Sequence, residues 1–202
     1  GAFRSREQLQ SEPFKMLGNT FLIRDKKWLP LYEAKLINQY SHQNGTFDGI
    51  PPERRFIMKA ATNEVAPQDK INPDFTVIPR FWVLSKDVIE KVGKNEKQWF
   101  IAFRNAVQMM TNARCAMFCI LPFVGIGNSA PVLISGMSAI KKVALVANLN
   151  SFIFDYAVRQ SIGGGNLNFF ILKQLPVLRP DDHSLETYKK VVPLVFELTY
   201  TS

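Results

Sequence analysis

Apolar residues first gather at Thr20–Ile23, a short run that reads as a strand, followed by a basic turn at Asp25-Lys26-Lys27. Residues 43–55 contain Gly45, Gly49, Pro51 and Pro52 and read as a loop, and residues 63–73 form a second polar, proline-containing connection. The run FTVIPRFWVL is rich in β-branched and aromatic residues and predicts a strand, with Pro79 confining part of it to an edge or bulge. Ser85 suits the N-cap of a short helix over 86–92. Between residues 98 and 113, Trp99, Phe100, Phe103, Val107, Met110 and Ala113 recur every three or four positions, the spacing of an amphipathic helix. Arg104, Asn105, Gln108, Asn112 and Arg114 lie off that stripe.

CAMFCILP and PVLIS then read as buried strands joined by the turn-rich VGIGNSA. Ile140, Val143, Ala144, Ala147, Phe152 and Tyr156 predict the longest helix, about residues 138–161, with Gly163 as a left-handed cap. NLNFFILKQLPVL reads as a strand or short helix stopped by Pro176, and residues 185–200 as a final helix kinked or broken at Pro193. No repeat is visible. Strands and helices without regular βαβ alternation predict an α+β fold, a mixed sheet with several packed helices.

Composition narrows the class. A chain of 202 residues with sixteen Phe and three Trp can build one sizeable core. Lys and Arg outnumber Asp and Glu by 25 to 17, a formal charge of +8 that favours polyanionic partners. The longest uncharged stretch, residues 115–140, is interrupted by Pro122, Gly125, Gly127, Asn128, Pro131 and Gly136, which suits strands and turns in a soluble core rather than a membrane span. The polar opening GAFRSREQ has no signal-peptide character, and both ends read as cuts from a longer chain. The two cysteines, Cys115 and Cys119, would point the same way on a helix or a strand. With only His42 and His183 beside them, no four-ligand zinc set exists, and two reduced core thiols of a cytoplasmic protein are expected.

Glu33-Ala34-Lys35 is an acid-x-lysine triplet with Asp25 upstream, a possible magnesium-dependent nuclease set if the three groups converge. GIGN and GGGN supply flexible amides, but neither matches a phosphate-binding P-loop. The second follows Arg159 and Gln160, so a close approach to a DNA backbone and an ordinary helix cap both fit it. Neither His42 nor His183 has a nucleophile and an acid placed for catalysis. Adenine methylation needs a polar-Pro-Pro-aromatic segment, and the sole Pro-Pro lies in Ile50-Pro51-Pro52-Glu53 without it, so the chain is not expected to be an enzyme by itself.

Taken in order, PLYEAKLINQYSH, IPRFWV, WFIAFRNAVQMMTNARCAMFCILP, LNSFIFDYAVRQSIGGGNLNFFILKQLPVL and ELTYT resemble a known region. It is the C-terminal, TaqI-like target-recognition domain of large type II restriction–modification enzymes that methylate adenine at N6. Ala34 stands where that pattern has Gly, and Ser41 where it has Asp. The resemblance implies a target-recognition-domain fold over residues 28–202, with residues 1–27 as a lead-in from the parent protein. It further implies double-stranded DNA as partner, together with the methyltransferase and nuclease domains of the parent chain. S-adenosylmethionine and magnesium would belong to that parent, and no cofactor to this chain.

The reading candidates are Arg159, Gln160, Gly164 and Asn166 around the glycine loop, then Arg80, Arg104, Asn112 and Arg114. Arg pairs bidentately with guanine and Asn or Gln with adenine, whereas helix capping or ion pairing would equally occupy Arg104 and Arg114. A nuclease domain and a docking module of the parent enzyme remain the alternatives.

Overall fold

A computed structural model describes residues 2–93, 99–108 and 111–200. The first half runs β1 (Phe3–Arg4), α1 (Arg6–Gln10), β2 (Lys15–Leu17), β3 (Thr20–Ile23), β4 (Lys26–Tyr32), β5 (Gly45–Thr46), α2 (Pro52–Arg55), β6 (Asn63–Glu64), α3 (Pro67–Ile71), β7 (Trp82–Leu84) and α4 (Ser85–Val92). The second adds β8 (Phe100–Phe103), β9 (Phe118–Leu121), β10 (Gly125–Ile126), β11 (Val132–Leu133), α5 (Ala139–Leu149), α6 (Phe152–Ser161), α7 (Phe169–Leu172) and α8 (Leu185–Thr199). The fold is α+β with a mixed sheet, as the patterning predicts.

The largest sheet has the antiparallel order β1-β7-β4-β3-β2, and β10 joins the second half of β4 in parallel, Gly125 opposite Leu31. The turn between β3 and β4 is Arg24-Asp25, so Lys26 and Lys27 open the strand instead of forming the turn. Trp28 sits inside β4, and β1, β2 and β3 share its sheet. Leu9, Phe21 and Ile23 accordingly bury against Trp28 and Trp82, so residues before 28 belong to the same core.

A three-stranded antiparallel sheet, β11-β8-β9, forms the centre of the second half. Among the described residues of 98–113 the expected helix is absent; Phe100–Phe103 form β8 instead, with all four residues buried. Ile101 and Phe103 enter a cluster with Val143, Val146, Leu149, Phe154 and Val158 of α5 and α6. Phe100 and Ala102 enter the opposite cluster, with Tyr32, Leu36 and Phe47. A strand buried on both faces needs apolar residues at every position, which removes the period-two signature and leaves chance matches to a helical one. Met110 of the expected stripe lies outside the described residues.

Phe118 and Cys119 of β9 alternate in the same way, and Cys119 and Cys115 consequently occupy different clusters. Both are free and buried, and burial pushes each thiol's pKa up.

The long helix expected near 138–161 is two helices. Asn150 ends α5 because its buried amide pairs with both the N–H and the C=O of Phe118, each at 2.9 Å, acting as a surrogate strand neighbour. Ser151 then caps α6, its Oγ accepting from Phe154 N at 3.1 Å. The cap after α6 is Ile162 in an extended conformation, and Gly163 does not adopt the left-handed one. Residue 84 occupies the N-cap of α4 with Ser85 already helical, while α8 runs through Pro193. Among the described residues no helix is long and apolar enough to cross a membrane.

Candidate nucleic-acid interface

Asp155 organises the surface from beneath. It is the acid of α6, buried at 5 % exposure, and its Oδ1 accepts from Cys115 N at 2.6 Å and Ala116 N at 2.7 Å. Oδ2 accepts from Arg159 Nε at 3.0 Å, one helical turn on. Burial alone would raise this carboxyl, but hydrogen bonds from Ala116 N, Arg159 and Cys115 N outweigh it and hold the pKa below its ordinary value. Arg159 in turn donates through Nη2 to Asn112 O at 3.0 Å and Ala113 O at 2.8 Å. The loop between β8 and β9 is thereby tied to α6 on both sides of residue 114.

Arg114 projects from that loop. Its Nη2 bonds Asn150 O, its guanidinium carbon lies 4.2 Å over the Phe152 ring, and its Nε and Nη1 are buried without a hydrogen-bond partner. Arg104, just past β8, is half-buried; its Nε is also buried without a partner, and burial lowers its pKa. Arg114 thereby caps the C-terminal end of α5, whereas among the described residues Arg104 forms neither a helix cap nor an ion pair.

Two adjoining polar clefts share Arg104 and Asn112. One, of about 520 Å³, has Glu33, Lys35, Arg80, Gln108 and Asn128 in its wall. The other, of about 420 Å³, has Gln39, Thr111 and Arg114. Glu33 is bound by Arg80 through Nε at 2.9 Å and through Nη2, which offsets its charge. Lys35 donates to Ala60 O, and burial, then the charge of Arg80, lowers its pKa. The clefts thus keep a cationic surplus from Lys35, Arg104 and Arg114. Beside them, Tyr40 takes a left-handed φ of 61°, uncommon for a bulky side chain.

The glycine loop joins this surface through backbone pairing. Asn166 bridges Ala106, Val107 N donates to Gly165 O at 2.8 Å, and Leu167 N donates to Asn105 O at 2.8 Å. Gly163 and Gly164 are exposed, and a methyl group added to either would meet nothing within 4 Å. Their lack of side chains is therefore not demanded by crowding or by a left-handed backbone. Gln160 and Asn166 are exposed beside them.

All eight candidate residues thus fall on or beside one surface, though not in equal states. Arg80 and Arg159 are committed to internal carboxylates and carbonyls, while Arg104 and Arg114 retain unpaired N–H groups. Sequence reasoning missed Gln39 as part of this surface, and it placed Phe152 and Tyr156 in the buried stripe. They are in fact 82 % and 66 % exposed, with Ile153 at 85 %. Reading Asn150-Ser151 as a stop and a cap would have reset the helical phase and turned them outward.

The other motifs find different explanations. In GIGN, a Cβ at Gly125 would lie 2.3 Å from Val83 Cγ1, and Gly127 N donates to Tyr32 O at 2.7 Å, so this loop serves the β10–β4 pairing. Asp25 and Glu33 flank the seven-residue β4 at its two ends, about 27 Å apart at ~3.4 Å per residue. They do not converge with Lys35. Among the described residues no group of three His, Cys, Asp or Glu side chains is placed to hold a metal. His42 faces an apolar cleft with Trp99, Ile120 and Phe196; its Nδ1 is buried without a partner, and burial lowers its pKa to about 4. His183 stacks edge-on against Tyr188, 5.7 Å between centroids.

Comparison with protein-family models, with curated proteins and with solved structures finds no match to this chain.

Proposed function

We propose that this chain is a non-catalytic, sequence-specific recognition domain for double-stranded DNA, part of a restriction–modification enzyme that methylates adenine at N6. The observation that carries the DNA reading is the pair Arg104 and Arg114. Both flank Asn112 in one groove, and both keep buried guanidinium N–H groups without partners. A guanidinium withdrawn from water with N–H groups unmet is costly, and a phosphodiester supplies charge-assisted acceptors for them. Nearby, Gln160 and Asn166 stand exposed with groups suited to base edges, and Gly163 and Gly164 leave room for a backbone to approach. The assignment to an adenine-methylating parent rests on the ordered sequence resemblance. Methyl transfer, with its S-adenosylmethionine, and any magnesium-dependent cutting fall to the parent's other domains, and the reading is of the duplex rather than of a flipped base.

The test is binding of the chain to a random-sequence duplex across a salt series, by fluorescence anisotropy, with magnesium present. Binding that weakens steeply with salt and leaves the duplex intact is expected. Arg104→Ala should lower the slope of log affinity against log salt by about 0.9, the contribution of one phosphate contact. Cleavage of the duplex, or no binding at low salt, would sink the reading.

A further inference from the structure

We infer that the exposed face of α6 is an apolar wedge that enters an opened base step of the bound duplex; this rests on the DNA-recognition reading above. Phe152, Ile153 and Tyr156 are 82 %, 85 % and 66 % exposed. They lie at i, i+1 and i+4, so Tyr156 adjoins both of the others on one helical face. Gln160 continues that face one turn later, where the chain passes into Gly163 and Gly164. Isolated exposed apolar residues are common on any protein, but three large ones at adjoining positions on a single short helix mark an interaction surface.

Charge selects the occupant. The acid of α6, Asp155, is turned inward and fully engaged by Cys115 N, Ala116 N and Arg159. The exposed face of the helix therefore presents no negative charge. At its N-terminal end the Arg114 guanidinium covers the Phe152 ring, so the apolar patch begins where the cationic groove stops. An apolar face bordered by an incompletely paired arginine at one end and a bare glycine loop at the other suits DNA: a phosphate seats on Arg104 and Arg114, and the adjacent base step meets Phe152 and Ile153. Apolar side chains inserted at a base step unstack it and kink the duplex, at a cost of a few kcal/mol per step. Aromatic contact with the freed base faces offsets that cost.

The consequence is a preference for DNA whose step is already open. A random-sequence duplex with one central mismatch, and the same duplex fully paired, are to be titrated with the wild-type chain and with a Phe152→Ala, Ile153→Ala, Tyr156→Ala variant. The wild-type chain is expected to bind the mismatched duplex about tenfold more tightly, since the unstacking cost is already met. The variant should lose that preference while keeping the salt slope of the wild type, because no phosphate contact is removed. If thermal melting shows the triple variant to be less stable, Ile153→Ser, a single uncharged change at the most exposed of the three, replaces it. Wild-type binding with no preference, or a preference that survives in the variant, overturns the wedge and leaves the recognition reading standing. Failure to bind either duplex overturns both.

Discussion

Removing the Asp155 carboxylate should loosen the whole interface from below. In Asp155→Ala, Cys115 N and Ala116 N lose their acceptor inside the core, and Arg159 loses its ion-pair partner. Each orphaned buried N–H costs roughly 1–3 kcal/mol, and breaking a buried pair costs about 3–5 kcal/mol in all. For a chain of this size about 1 kcal/mol moves Tm by roughly 2–4 °C, so a drop of about 6–20 °C is expected. Asp155→Asn keeps an oxygen for the two amides but turns an NH2 toward Arg159, and should lose about half as much. Urea titration at neutral pH gives the difference directly if m is unchanged. The sign with pH follows from the depressed carboxyl. Its stabilisation is fully present above the unfolded value near 4 and is lost as pH falls through the folded one, so the gap between wild type and Asp155→Asn should narrow in acid. An Asp155→Ala chain within about 1 kcal/mol of wild type would refute the role given to this residue.

The glycines divide by their surroundings. Gly125→Ala should destabilise the fold by about 1–3 kcal/mol, because its methyl would press on the stiff Val83 side chain; urea midpoints measure it. Gly164→Ala, in open space, should leave the midpoint unchanged yet weaken DNA binding severalfold; unaltered binding would remove the glycine loop from the interface. His42 should give a separate acid limb. Its folded pKa of about 4 lies below the unfolded 6.5, so the unfolded chain takes up the proton first and stability falls as pH drops across that window. The loss reaches up to about 3 kcal/mol, and His42→Leu should flatten the curve between those values when stability is followed by chemical denaturation.

Much of the fold was legible where a segment has one buried face. Thr20–Ile23, the α4 segment and the final helix carry their own periodicity, while the strand in FTVIPRFWVL is confined to Trp82–Leu84, after Pro79, and lies between β1 and β4 rather than at the expected edge. What failed was legible only with the tertiary partners in view. β8 reads as helical because both of its faces are buried, and Asn150 breaks a helix because a neighbouring strand offers its backbone to the amide. The same division holds at the site. Residue types named Arg80, Arg104, Asn112, Arg114 and Arg159 as candidates, but which arginines are spent on internal partners depends on Glu33, distant in sequence from Arg80, and on the inward turn of Asp155, one helical turn before Arg159. The outward turn of Phe152, Ile153 and Tyr156 followed from the helix break, which the apolar spacing concealed.

The surface proposed for DNA is built from the β8–β9 connection, as described at 104–108 and 111–117, and from residues 159–166. Amide hydrogen exchange with and without a saturating duplex tests it most directly. Protection concentrated in those two segments, with the β2–β3 hairpin and α3 unchanged, is the predicted result. Protection at that hairpin or α3 with none at 104–108, 111–117 and 159–166 would contradict it.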